Sequence, residues 1–212
     1  MYDTVQRTVT HMDTVLPFEA NNDIRHAAQT AAAIATLAMV DIAMQARNEL
    51  EAATYISETD HFTGLANRRG FERTLTRQIY ETTTADQSLC MIMMDLNNID
   101  EVNEAVGRHE GDRWVKETAG ILQRYCDIRP TRWRGDEFVA LFAGHDRTSI
   151  ENVWNDMSNE FINANIQLGA GAVFYDTELH CDTEQFMHQA DQAMYEGKRT
   201  SKLLARPMLH IQ

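Results

Sequence analysis

The rhythm of apolar and polar positions changes near residue 58. Before that point, from about Asp23 to Ser57, the chain has no Gly or Pro and is rich in Ala, a strong helix former. Ile24, Ala28, Ala31, Ile34, Ala38, Ile42, Ala46, Leu50 and Ala53 recur at steps of three and four, which predicts one long helix with a continuous stripe of mostly small residues. Small residues let backbones approach closely, so the stripe suits a dimerising stalk. It suits equally a helix packed on its own domain. Residues 1–22 carry no legible pattern.

Beyond residue 58 short apolar strands alternate with helices. A helix follows Gly70, with Phe71, Leu75 and Ile79 on one face, and Ser88–Met94 is an unbroken apolar run, as expected of a strand covered on both sides. Glu110–Arg124 has helical spacing, with Trp114, Val115, Ile121 and Leu122 clustered. Thr131–Trp133 and Glu137–Ala143 read as strands joined by the tight Arg134-Gly135-Asp136 turn. Ile150–Ala164 is helical, Leu168–Tyr175 a strand, and Thr183–Gly197 a last helix with Phe186, Met187, Ala190 and Met194 inward. The order, roughly βααββαβα after a leading helix, predicts an α/β (α+β) domain: one central sheet that contains an antiparallel hairpin and is flanked by helices.

Composition narrows the function. A net charge of −13 argues against a protein that wraps a nucleic-acid polymer, which needs clustered Lys and Arg. It leaves a mononucleotide open, because a bound metal supplies local positive charge. Cys90, Cys126 and Cys181 are widely spaced and odd in number, and read as reduced thiols of a cytosolic protein rather than a disulfide framework or metal site. Met1-Tyr2-Asp3 does not begin a signal peptide. The longest weakly polar run, Ala31–Val40, is too short to span a bilayer and is closed by Asp41, so the expectation is a cytoplasmic protein without membrane insertion.

Carboxylates at strand ends are the candidate chemistry. Asp95 ends one apolar run, and Asp136 and Glu137 lie at the hairpin turn. Brought together, such groups repel unless a cation or proton is shared, and hard oxygens favour Mg²⁺. Read alone, Asp-Glu in a turn is also ordinary solvated punctuation.

Four blocks accompany that turn. Asp60-x-x-Thr63-Gly64-Leu65-x-Asn67-Arg68-Arg69-x-Phe71 precedes it, and Asn103, Gly107, Gly111 and Asp112 follow Asp95 at fixed offsets. Arg134-Gly135-Asp136-Glu137-Phe138 forms the turn, and Asp191-x-Ala193-Met194-Tyr195-x-x-Lys198 with Lys202 comes last. Over about residues 58–203 the chain resembles the GGDEF-domain family of diguanylate cyclases. The resemblance implies a palm-like domain with a mainly antiparallel sheet (58–205) behind an N-terminal helical stalk (1–57), with a tail at 206–212. It implies condensation of two GTP into cyclic di-GMP by a homodimer, with Mg²⁺ (or Mn²⁺) as cofactor. Asp95, the Leu96 carbonyl and Asp136 match the metal-binding positions, and Glu137 is the neighbouring acid needed for catalysis. Asn103 and Asp112 match the guanine-reading positions. Lys198 and Lys202 match the phosphate-binding ones, and so do the backbone N–H groups of Asn98 and Ile99. Gly135 belongs to the substrate-binding turn.

The chain departs from the family's pattern in identifiable places. The first signature glycine is Arg134, whose side chain obstructs the substrate, lies outward or contacts phosphate. Ile99-Asp100 replaces a Phe-Lys pair, Asn97 replaces a second aspartate and thins the local negative field, and Gly107-Arg108 replaces Gly-His. The inhibitory product site corresponds to Arg124-x-x-Asp127, here followed by six residues instead of five before the signature, so the pair can equally be a helix-end ion pair. Besides an active cyclase, two readings follow from these departures: a degenerate domain that binds GTP or cyclic di-GMP without turnover, and a partner-binding domain that has lost the site.

Overall fold

In a computed structural model the described residues are 18–180, 182–204 and 206–212, so the expectations for residues 1–17 and for Cys181 lie outside them. The chain divides into two units, after Tyr55. The first is carried by α1 (Phe18–Ser57), a helix of 40 residues with an Arg47–Glu51 ion pair on its surface. Ile34, Leu37, Val40, Ile42, Met44 and Leu50 are all exposed on it. Leu37, Val40 and Met44 lie off the small-residue stripe, so the apolar surface is wider than one seam. By length and composition the span Asn22–Ser57 is apolar enough to cross a membrane. The helix continues through Asp41 instead of being closed by it.

The second unit is built on a five-stranded sheet in the order β2-β3-β1-β4-β5. Its elements in chain order are α2 (Arg68–Thr84), β1 (Leu89–Leu96), α3 (Ile99–Val106), α4 (Arg108–Tyr125), β2 (Thr131–Arg134), β3 (Glu137–Ala143), α5 (Arg147–Asn163), β4 (Leu168–Phe174), α6 (Thr183–Leu204) and β5 (Met208–Ile211). β1 pairs antiparallel with β3 and β4, and β2 with β3, while β4–β5 is parallel. The residues expected as a tail therefore include an edge strand. All eight residues of β1 are buried, as the unbroken apolar run implies.

Alternation along the strands gives each face its own core. Ile92, Met94, Phe138 and Ala140 point to α4 and α5, where Trp114, Leu122, Ile150 and Phe161 are buried with them. Met91, Met93, Val139 and Leu141 point the other way, to Phe71 and Leu75 of α2 and Phe186, Ala190 and Met194 of α6. Cys90 and Cys126 are free, and burial pushes both thiols up to about 12, in keeping with inert reduced thiols.

On the second face α6 lies directly on β4. A Cβ added at Gly197 would meet the Ala170 carbonyl oxygen at 1.9 Å, and one at Gly169 would meet the Lys198 Cα at 2.2 Å. Gly171 is equally tight against Met194. No side chain fits between the two elements, so these glycines fix how closely the helix backbone approaches the sheet.

A second tie holds the loop before α2. Asp60 accepts from the Thr63 N–H at 2.9 Å and hydroxyl at 2.7 Å, and from Arg132 at 3.3 Å. Arg132 in turn donates to the Gly135 carbonyl at 2.9 Å, linking this loop to the β2–β3 turn. Partial burial raises the Asp60 carboxyl, but the Thr63 hydrogen bonds and the Arg132 charge together outweigh it and hold the group below its ordinary value of 3.8.

Two outcomes are expected. Gly197→Ala should lower stability by about 3 kcal/mol, the upper end of the usual cost of overpacking, in urea unfolding followed by tryptophan fluorescence. An unchanged midpoint would show that the helix has room. For Asp60 the folded form binds the proton less tightly than the unfolded chain, so its contribution is present above the unfolded value and is lost as pH falls through the lower folded one. Asp60→Asn should therefore be less stable than wild type at neutral pH, with the gap closing as pH falls below about 3.8. A gap independent of pH would contradict the assignment.

Candidate functional site

Strand register brings the first two carboxylates together. Asp95 is directly opposite Glu137 across β1–β3, and Arg134 is opposite Glu137 across β2–β3, after a bulge. Asp95 is also opposite Gly169 across β1–β4. Residues at opposed positions share a face, so Arg134, Glu137, Asp95 and Gly169 form a row across four strands on the face that α6 covers. Because Gly169 has no side chain, Lys198 of α6 sits over it. The Lys198 Nζ donates to Asp95 Oδ1 at 2.5 Å, and at the other end of the row Arg134 Nε donates to Glu137 Oε2 at 2.8 Å. The row reads cation, anion, anion, cation.

The expectation placed Asp95 just beyond its strand. It lies within β1, one residue before the strand ends at Leu96, and is buried. Burial pushes its carboxyl above the ordinary value; the Lys198 ammonium pulls it down, and the negative charges of Asp136 and Glu137 push it up again. Asp136 follows Gly135, whose left-handed backbone (φ 45°) makes the turn, and its carbonyl accepts from the Leu96 N–H at 3.1 Å. Asp95, Leu96, Asp136 and Glu137 therefore meet at one corner of the sheet. Among the described residues no group of three or more His, Cys, Asp or Glu is arranged to hold a metal unaided. Two carboxylates and a carbonyl nevertheless fit Mg²⁺, which takes one or two carboxylates and completes its shell from phosphates and water.

The other predicted residues fall on elements that border this corner. Asn98, in a left-handed conformation (φ 61°), is the N-cap of α3 and makes no side-chain capping bond, and Ile99 opens the helix's first turn, whose N–H groups have no acceptor within the helix. Asn103 packs on the facing Gly111 of α4, where a Cβ would lie 2.2 Å from its side-chain oxygen. That oxygen is buried with no hydrogen-bond partner among the described residues, and the exposed Asp112 is the next residue after Gly111. α6 runs on to Leu204, past the expected end at Gly197, so Lys198 and the exposed Lys202 share one helical face.

One expectation changes, and two residues gain partners. Arg124 and Asp127 do not form an ion pair: Arg124 is bound to Glu160 of α5, whose other carboxylate oxygen accepts from the Tyr125 hydroxyl at 2.7 Å. Asn97, which stands in place of a second aspartate, also has a structural partner. It is fully buried and donates to the Ser201 hydroxyl at 2.8 Å, tying the end of β1 to α6. The Arg134 side chain lies mostly outward, and its Nε holds Glu137. That pairing was hidden because the bulge in β2 sets which residue faces Glu137. The close α6–β4 contact had a sequence signal, Gly169-x-Gly171 in a strand and Gly197 in a helix, that helical periodicity alone does not reveal.

Comparison with known proteins bears on the family and the fold. Residues 57–203 match the family described as diguanylate cyclase, GGDEF domain. The chain is 29% identical over 188 residues to diguanylate cyclase DgcP of Escherichia coli, covering 82% of this chain and 54% of that protein. It is 27% identical over 153 residues to diguanylate cyclase DgcS of Shewanella oneidensis, covering 68% of this chain and 50% of that one. The chain thus spans about half the length of these two relatives. Among solved structures it is similar to the coiled coil and GGDEF domain of DgcB from Caulobacter crescentus in complex with c-di-GMP, with a TM-score of 0.71 at 20% identity over 87% of this chain and 99% of that one. It is also similar to diguanylate cyclase SiaD of Pseudomonas aeruginosa in complex with its activator SiaC, with a TM-score of 0.70 at 20% identity over 100% of this chain and 81% of that one. At that identity the two structures bear on fold alone, whereas the match over residues 57–203 bears on descent. The chain belongs to the GGDEF-domain family.

Proposed function

We propose that this chain is a magnesium-dependent diguanylate cyclase that joins two GTP molecules into cyclic di-GMP, each copy of a homodimer holding one GTP. The observation that carries the reading is the convergence of Asp95, Asp136 and Glu137 at one sheet corner, with Lys198 held over Asp95 by the glycine contact. Asp95, Asp136 and the Leu96 carbonyl would hold the metal, which supplies charge neutralisation for the triphosphate when bound. Asn103 and Asp112 read guanine: a carboxylate accepts from its N–H groups, and the buried, unpartnered oxygen of Asn103 is a further acceptor. The Asn98 and Ile99 N–H groups and the Lys198 and Lys202 ammoniums hold the phosphates.

In each of two condensations the 3′ oxygen of one GTP bonds to the α-phosphorus of the other, the α–β anhydride breaks, and pyrophosphate leaves. The Asp136–Glu137 pair takes the hydroxyl proton. Lys198 is released from Asp95 as phosphate arrives, exchanging one anionic partner for another.

Reaction between two nucleotides on separate copies requires the copies to face each other. We assign that pairing to α1, in line with the DgcB structure, which comprises a coiled coil and a GGDEF domain, and place the catalytic unit in the cytoplasm. A second reading, a receptor that binds GTP or cyclic di-GMP without turnover, is favoured by the Arg134–Glu137 pair, which ties up one catalytic acid.

Purified dimer with GTP and Mg²⁺ should yield cyclic di-GMP by chromatography, and Asp136→Ala should reduce the rate by at least about a hundredfold, the scale of losing a transition-state electrostatic group. Binding of GTP by a dimer with no product would establish the receptor instead.

A further inference from the structure

The row Arg134–Glu137–Asp95–Lys198 is electrically balanced before any ligand arrives, and its two ends differ in origin. Lys198 occupies a position where the family itself supplies a cation. Arg134 stands where the family's signature has glycine, which offers Glu137 nothing. The Arg134 side chain is mostly exposed (72%) while the Glu137 side chain is nearly buried (10%), so Arg134 is the part of the pair with room to move. Asp191 and Asp136 also attract it, less than Glu137 does. The groove of about 400 Å³ that Arg134 borders is lined by Arg68, Arg69 and Arg132, and its one carboxylate, Asp60, is engaged by Thr63 and Arg132. Arg68 is paired with Glu72, and Arg69 has no partner among the described residues. With Arg68 and Arg132 paired and Asp60 engaged, that side offers Arg134 no carboxylate in place of Glu137.

We propose that Arg134 is a built-in counter-ion that neutralises Glu137 in the nucleotide-free protein and thereby raises the concentration of divalent cation the site requires. The inference rests on the metal-dependent reading above. Arg134 is a positioning residue here: it acts on the cation through Glu137 and touches neither metal nor substrate. Without it the three carboxylates repel one another more strongly in the empty site, and a cation relieves more of that repulsion on binding.

The test is Mn²⁺ binding without nucleotide, followed by electron paramagnetic resonance on the full chain, for wild type, Arg134→Gln, Arg134→Lys and Asp95→Asn. An exposed ion pair is a modest interaction, so Arg134→Gln should tighten Mn²⁺ binding by about two- to fivefold. It should also lower the melting temperature in chelator and enlarge the Mn²⁺-induced rise. Arg134→Lys keeps the charge and should stay near wild type, which a purely steric role of the arginine would not give. Unchanged or weaker binding in Arg134→Gln, with binding lost in Asp95→Asn, would overturn the counter-ion role and leave the metal site intact. Equal Mn²⁺ binding in wild type and Asp95→Asn would overturn both together.

Discussion

The contact of α6 with β4 is the constraint on which the rest of the site depends. Gly169 and Gly171 on the strand and Gly197 on the helix remove every side chain between two backbones, so the helix axis is set by backbone atoms rather than by adjustable packing. Two things follow from that depth. Lys198, the residue after Gly197, reaches Asp95 across the strand next to its own, and Ser201, one turn on, reaches the buried Asn97 where β1 ends. A helix standing further off, at the distance ordinary side chains impose, would leave Asp95 buried among carboxylates without a cation. Burial of an uncompensated charge is among the costlier defects a fold can carry.

Electrostatics then shape what the corner does. Asp95 is held above its ordinary value by burial despite Lys198, and the acids beside it push the same way. A corner in that condition favours any cation that can enter, which is the physical content of a metal site made of few ligands. In this chain part of that demand is met internally, at Asp95 by Lys198 and at Glu137 by Arg134. The same arrangement explains why replacing the first signature glycine is tolerated structurally: Gly135 still supplies the left-handed turn, and the added side chain finds a nearly buried carboxylate directly opposite it across β2–β3.

Much of this was legible in the sequence, for reasons that separate what was seen from what was missed. The apolar runs and helical stripes located nearly every element, because Met91–Met94 or Ile150–Phe161 must be buried wherever the chain goes. The site residues came from motifs, and the structure places Asp95, Asp136, Glu137 and Lys198 at one corner and Asn103 and Asp112 at the adjoining α3–α4 junction. What was not legible depends on tertiary partners. The short α3, in which no residue is buried, has too weak a pattern to announce itself. β5 is four residues whose strand character comes from β4 beside it. Arg124 looked paired with Asp127 three residues on, but Glu160 reaches it from another helix. Asn97 takes the place of an aspartate's charge, and its tie to α6 depends on Ser201, a distant partner. The width of the apolar surface on α1 was understated because a search for one stripe ignores residues that lie off it.

The central claim is that this corner exchanges its internal cations for a metal-bound nucleotide. A crystal structure of the full chain with Mg²⁺ and a non-hydrolysable GTP analogue tests it most directly. The expected result is guanine against Asn103 and Asp112, phosphates at the Asn98–Ile99 backbone, and Lys198 moved from Asp95 to a phosphate oxygen. A nucleotide bound elsewhere, or one bound here with Lys198 still on Asp95 and no metal between the carboxylates, would contradict it.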